Sequence, residues 1–225
     1  MPIPDPTSPS SPHIDSIQPT WRDLPYACEL VRFTYNHPRE SFPDIREGLI
    51  QRSTKTKVKQ TLNFLGKIEV LDKKTGLLPL GEWLAEKYST PHQMTIGDSA
   101  SVGIKQDLSG SEARVWKYLL FNNDWVPMLG AINQLATTSV STKETESRAE
   151  EFYTRLSHLT EYKKYNSIST KKKKAQVHFQ WLQKVGLAKI DKHEKMSLTK
   201  KGEFLHEQLR PHYHPNWPSS QNESN

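Results

Sequence analysis

The stretch TLNFLGKIEVLDKKTGLLPLGEWLAEKY, residues 61–88, decides the fold because the chain repeats it: residues 181–209 read WLQKVGLAKIDKHEKMSLTKKGEFLHEQL. At a constant shift of 120, Leu62, Leu65 and Gly66 fall on Leu182, Val185 and Gly186. After one extra residue in the turn, Leu77, Gly81, Glu82 and Leu84 fall on Leu198, Gly202, Glu203 and Leu205. Both copies read as a helix, a glycine stop, a strand, a turn, a return strand and a closing helix. An internal repeat of this length implies two domains of one architecture.

Local chemistry supports each element. Ser53 is an N-cap type of residue for a helix through Leu65, and Gly66 suits the left-handed conformation that ends a helix. Val58, Leu62 and Leu65 recur at helical spacing and should face a core. Ile68 and Val70 begin a strand; Leu77, Leu78 and Leu80 form the return strand, which Pro79 marks as an edge. Upstream, ACELVRFTY reads as one helix and FPDIREGLIQ as a second, with Ser41 and Asp44 spaced for a capping box. Before the second copy, SEARVWKYLLFNN and WVPMLGAINQLA are helical. A long charged helix over about Thr142 to Leu159 has no counterpart in the first copy, and Ser169 is the expected cap of a helix about one turn longer than its partner.

Composition limits the rest. The apolar fraction of 34% is low for 225 residues packed throughout, so part of the chain is expected outside a core. Residues 1–20 hold six prolines and four serines and are expected to be disordered. The sequence divides into a first domain at 21–90, a linker at 91–110, a second domain with an extra helix at 111–209, and a flexible tail at 210–225. No apolar run approaches the ~18 residues of a membrane span, which predicts no membrane partner. No secretory signal is present, and the single Cys28 precludes an internal disulfide or a cysteine-rich zinc site. These features predict a cytoplasmic (nucleoid-associated) or nuclear protein.

Net charge is +6, and its distribution is uneven. Arg52 to Lys74 carries seven basic and two acidic residues; Glu161 to Lys201 carries twelve lysines and three acids. Two concentrated stripes of this kind are the footprint of a polyanion partner.

Three helices, a two-stranded hairpin and a closing helix, together with the STK starts (Ser53-Thr54-Lys55, Ser169-Thr170-Lys171), the Leu-x-x-Leu-Gly and Leu-x-x-Val-Gly helix ends, and the LPLGEWLAE and SLTKKGEFLHE segments, resemble the winged-helix family of helix-turn-helix domains. The resemblance covers Trp21 to Tyr88 and Ser111 to Leu209 and implies a mainly α fold with small β-hairpins, two winged helices in tandem. It implies a double-stranded DNA partner, reached by the third helix in the major groove and by the hairpin on the backbone. Helical projection then turns Thr56, Lys59, Gln60 and Asn63 outward in the first copy, with Lys57 at the flank, and Lys173, Gln176 and Gln180 outward in the second; Lys55, Lys172, Lys174 and Gln183 complete the expected DNA-binding set. At the 120 shift Gln60 matches Gln180 and Asn63 matches Gln183; such amides can pair with adenine edges. Hairpin lysines Lys73, Lys74 and Lys195 are placed to neutralise phosphate. The implied role is a transcription regulator or the DNA-recognition component of a replication, mobile-element or defence system.

Two other readings compete. Winged helices also serve as protein docking modules in chromosome and replication assemblies, and the acidic remainder of the chain could make such contacts. Pro43-Asp44 with Asp72-Lys73-Lys74 could form a metal-dependent nuclease pair. However, Asp44 is accounted for by the capping box and Asp72 by a turn, and no Gly-rich phosphate loop, Gly-x-Ser-x-Gly or His-Glu-x-x-His is present. The expectation is therefore a binding protein, with no catalytic residue, metal or cofactor.

Overall fold

A computed structural model describes residues 24–218 apart from 39, 53, 73, 88–107, 109, 139 and 160–166. The chain is mainly helical with small antiparallel sheets, and it divides into two compact units that meet at residues 112 and 113. Residues 1–20 and most of the expected linker lie outside the described residues.

In the first unit, α1 (Leu24–Asn36), α2 (Phe42–Arg52) and α3 (Lys55–Lys67) are followed by the hairpin β1 (Leu71–Asp72) and β2 (Gly76–Leu77), then by α4 (Pro79–Lys87). Leu24, Leu30, Leu49, Val58, Phe64, Leu65 and Val70 are fully buried and form the core, and Cys28 is buried on α1. The Ser41 hydroxyl donates to the Asp44 carboxylate while the Asp44 N–H donates back to Ser41 Oγ, so α2 starts with the expected reciprocal cap. At α3, Thr54 is the N-cap and accepts from the Lys57 N–H at 3.3 Å; the predicted cap, Ser53, lies outside the described residues. Pro79 opens α4 and does not sit in a return strand. Its fixed φ and missing N–H suit a first helical turn, and that preference overrides the strand reading of Leu78 and Leu80.

The second unit holds α5 (Gly110–Asn123), α6 (Trp125–Thr137), β3 (Val140–Ser141), α7 (Thr145–Leu159), α8 (Ile168–Lys184), β4 (Ala188–Ile190), β5 (Lys195–Leu198) and α9 (Lys200–Leu209). Its sheet has the order β3-β5-β4, all antiparallel. The helices α6, α7, α8 and α9 pack on one another as α1, α2, α3 and α4 do. The element without a counterpart is therefore α5, and the long charged helix expected to be extra, α7, is the equivalent of α2. Sequence concealed this because α7 turns arginines inward. Arg155 is 3% exposed and donates to Asn133 Oδ1 at 3.0 Å, to Glu151 Oε1 at 2.7 Å and to Thr137 Oγ1 at 2.9 Å. Such a network satisfies a buried guanidinium that a hydropathy pattern would place outside.

The two units share local features at a register that differs from the 120 shift. In α3 the N–H groups of Ile68, Glu69 and Val70 donate to Phe64, Gly66 and Leu65 O; in α8 those of Val185, Gly186 and Leu187 donate to Trp181, Gln183 and Leu182 O. The same three bonds thus close both helices at a shift of 117. Burial agrees: Val58, Thr61, Leu62, Phe64 and Leu65 fall on Ala175, His178, Phe179, Trp181 and Leu182, all buried. After the hairpin the shift is 121, since Leu77 pairs with Leu71 as Leu198 pairs with Ala188. The second hairpin is accordingly four residues longer. Gly66 lies inside α3 and is not its stop; the left-handed residue is Glu69 at φ 56°, matched by Gly186 at φ 75°.

The expected flexible tail starts with order. After a 3-10 turn at Arg210–His212, Trp217 is 6% exposed and donates its Nε1–H to Arg155 O at 3.1 Å. Tyr213 donates to His206 O at 3.1 Å, its ring stacked on the buried His206 imidazole at 5.0 Å. Aromatic burial thus outweighs the polar composition that made residues 210–218 read as tail.

The glycines of the closing helices are under a harder constraint. A Cβ on Gly81 would lie 2.2 Å from Val70 O, and one on Gly202 2.1 Å from Leu187 O. Gly202→Ala is expected to lower unfolding free energy by roughly 2–4 kcal/mol, because backbone must shift. Glu69→Gly, which relieves a left-handed non-glycine, should raise it by roughly 0.5–1 kcal/mol. Urea denaturation of both variants checks the pair of opposite signs.

Candidate nucleic-acid interface

The 117 register defines which side chains of the two third helices face away from their cores. On α8 the outward row is Ser169, Lys173, Gln176, Gln180 and Gln183; on α3 the matching positions include Thr56, Lys59 and Asn63. Lys173 therefore corresponds to Thr56, Gln176 to Lys59 and Gln180 to Asn63. Gln60 does not match Gln180. Its counterpart is Val177, which is 2% exposed, so Gln60 lies at the flank of α3 beside the core. Gln183, matched with Asn63 in the 120 register, instead corresponds to Gly66.

Lys55, Thr56 and Lys59 are exposed, while Lys57, Gln60 and Asn63 are half-buried. The Lys57 ammonium sits 4.1 Å over the Tyr26 ring, which holds its stem along the protein surface. On the hairpin Lys74 is exposed, and Lys73 lies outside the described residues.

α8 begins at Ile168 with Ser167 as its N-cap, two residues ahead of the expected Ser169. Lys171 to Lys174 consequently occupy the second turn, and the STK segment at 169–171 is not equivalent to the STK segment before α3. Lys172 bridges to Glu146 of α7 at 2.9 Å, Lys173 is exposed, and Lys174, Gln176, Gln180 and Gln183 are half-buried. The β4–β5 hairpin presents exposed Lys189, Lys192 and Lys195, of which only the last follows from the wing reading. Its acidic Glu194 is bridged to Lys143 at 3.0 Å.

What aims α8 is a buried pair that sequence did not reveal. His178 Nε2 lies 2.6 Å from Asp124 Oδ2, with exposures of 1% and 0%. Its Nδ1 lies 3.0 Å from Lys174 O, a carbonyl that can only accept, so Nδ1 carries a proton. Asp124 immediately precedes α6, so the contact ties the middle of α8 to the start of α6. Thr61 makes the corresponding local bond in α3, donating to Lys57 O at 2.9 Å. The signal available in sequence was a lone histidine on an apolar face, and nothing linked it to a carboxylate 54 residues earlier.

Both hairpin turns are built on an aspartate. Asp72 Oδ1 accepts from the N–H groups of Lys74 at 2.8 Å and Thr75 at 3.0 Å and from Thr75 Oγ1 at 3.2 Å. Asp191 Oδ1 accepts from His193 N–H at 2.8 Å and Lys195 N–H at 2.9 Å. Asp72 thus has the turn role expected of it, and Asp44 the capping role. Among the described residues no group of three or more His, Cys, Asp or Glu side chains is disposed to hold a metal ion. No described helix is long and apolar enough to cross a membrane.

Comparison of the chain with protein-family models, with curated proteins and with solved structures finds no match.

Backbone N–H groups hold both carboxyls below their ordinary value of 3.8, the Lys74 amide acting most on Asp72 and the Lys195 amide most on Asp191. A depressed carboxyl stabilises its turn fully above that ordinary value and loses the effect as pH falls through the lowered one. Amide shifts of Lys74, Thr75, His193 and Lys195 in NMR spectra should therefore move together below pH 3.8, with the helices still intact. Asp191→Ala should remove the second-hairpin transition and leave the first.

Proposed function

We propose that both units are winged-helix modules and that the chain is a double-stranded DNA-binding protein, a transcription regulator or the DNA-recognition component of a larger system. α8 and α3 enter major grooves, and the hairpin lysines lie on the sugar-phosphate backbone. The observation that supports this most is the layout of the second unit. The polar row Lys173, Gln176 and Gln180 lies on one side of α8 with Lys172 next to it, the Gln180 amide oxygen buried, while Lys189, Lys192 and Lys195 stand exposed on the adjoining hairpin. Helix and hairpin lysines of one sign serve a polyanion, and amides between them serve base edges.

Lysines near a helix start oppose the macrodipole. Phosphate neutralisation offsets that cost, and the Glu146 bridge offsets it for Lys172 in the free protein. The same bridge holds Lys172 beside the row that reads bases. Gln176 and Gln180 are the proposed readers in the second unit, and Lys59 and Asn63 take the matching positions in the first. Gln60 is a flank residue in this proposal.

Mobility-shift titrations at several salt concentrations test it. Replacing Lys172, Lys173 and Lys174 with alanine should weaken binding to all sequences and flatten the salt slope by ~0.9 per lost phosphate contact. Gln180→Ala should change the preferred sequence, read by selection from a random DNA pool, with a cost of ~1–3 kcal/mol at one base pair. Unaltered affinity and salt slope in the triple-lysine variant would overturn the assignment.

A further inference from the structure

The two units differ at one edge of their hairpins. In the second, β3 pairs antiparallel with β5, Val140 opposite Met196 and Ser141 opposite Lys195, and Thr142 N–H donates to Glu194 O at 2.9 Å. In the first, β2 has β1 as its sole strand neighbour among the described residues. The described residues of the α1–α2 connection there form no strand. Along β2 lies instead a groove of about 580 Å³.

We infer that this groove takes up an extended peptide of a partner protein, which pairs antiparallel with the side of β2 that faces away from β1. Addition of a strand to an open sheet edge is a general mode of peptide capture, with affinity from main-chain bonds and specificity from side-chain pockets. The edge has suitable polarity. Leu78 N–H donates to Val70 O at 3.1 Å, which makes Leu78 and Val70 a hydrogen-bonded pair. By antiparallel alternation, Leu71 and Leu77 form the non-bonded pair, so the N–H and C=O of Leu77 point away from β1. They face the side that β3 occupies on β5.

The lining specifies the occupant. Tyr35, Phe42 and Leu77 give an apolar patch for one β-branched or aliphatic side chain; Val140 in the second unit lies two residues nearer the turn, opposite Met196, the counterpart of Thr75. Tyr35 is 38% exposed, one of five large apolar side chains among the described residues left in solvent to that degree. Charge then orients the peptide. Lys74 stands at the start of β2, and Glu82 stands past its end, in the first turn of α4. An antiparallel strand begins at the Glu82 end and finishes at the Lys74 end. The preferred segment thus carries a basic residue before its apolar residue and an acidic one after it. This is a protein-binding site on a face that the DNA proposal uses only through Lys74, and it stands without that proposal.

Two synthetic peptides test it on the full chain. KTTSVSTE places the residues of 137–142 between a lysine and a glutamate, and ETTSVSTK exchanges the two charges. KTTSVSTE is expected to bind with a dissociation constant on the order of 100 µM, with amide shift changes centred on Tyr35, Phe42 and Leu77 and slowed exchange of the Leu77 amide. ETTSVSTK should bind about fivefold more weakly. Leu77→Pro, which removes the edge donor, and Tyr35→Ala, which leaves the backbone unchanged, should each weaken KTTSVSTE at least several-fold. Three outcomes would overturn the inference: no binding at 1 mM peptide, shifts centred elsewhere, or tighter binding of ETTSVSTK. So would unaltered binding to the Tyr35→Ala chain.

Discussion

A single backbone carbonyl organises each unit. Val70 O in the first and Leu187 O in the second accept the N–H of the residue that ends the hairpin, Leu78 at 3.1 Å and Thr199 at 3.0 Å. The closing helix then turns over the same carbonyl so closely that only Gly81 or Gly202 fits. Such a bond is worth about 1 kcal/mol by itself, but it joins the third helix, both strands and the closing helix at one point. With that point held, the third helix can expose only one side. The outward rows of α3 and α8 are thus consequences of a contact on the opposite side of the fold.

Around this common frame the units have diverged in how they fill the neighbouring space. The second unit adds strand β3 and turns two arginines of α7 inward, Arg155 donating to Asn133, Thr137 and Glu151 and Arg148 to the Ser141 carbonyl. Its third helix is anchored through His178 to Asp124, whereas Thr61 at the matching position of the first unit makes a local bond to Lys57 O. Trp217 closes over α7 through the Arg155 carbonyl. Buried polar pairs of this kind are costly unless fully matched, and what they contribute is a defined geometry. In the first unit β2 pairs with β1 alone among the described residues.

Electrostatics adds the functional asymmetry. The acids of the second hairpin are engaged locally, Asp191 by its own turn amides and Glu194 by Lys143. The lysines of the same hairpin remain exposed, so the field at its surface is set by cations. The first hairpin mixes Lys74 with the nearby Glu82 and an apolar patch. The two hairpins therefore present different surfaces, one dominated by cations and the other of mixed charge beside apolar side chains.

Much of this was determined by sequence alone. Helical spacing located α1, α2, α3 and α8, the Ser41–Asp44 spacing announced its cap, and the Gly-Glu-aromatic-Leu repeat located both closing helices. Each of these rests on interactions among residues close in the chain, which is why pattern suffices. The repeat's register is not legible in sequence, because Gly66 has the residue type of a helix stop while Glu69 adopts the left-handed turn that follows α3. Nor could periodicity show that α7 belongs to the common plan, since buried arginines read as surface. The positions of Asp124 against His178, of Trp217 against Arg155 and of β3 against β5 were decided only in the tertiary structure. They join residues far apart in the chain, and their stability depends on burial that no local window contains.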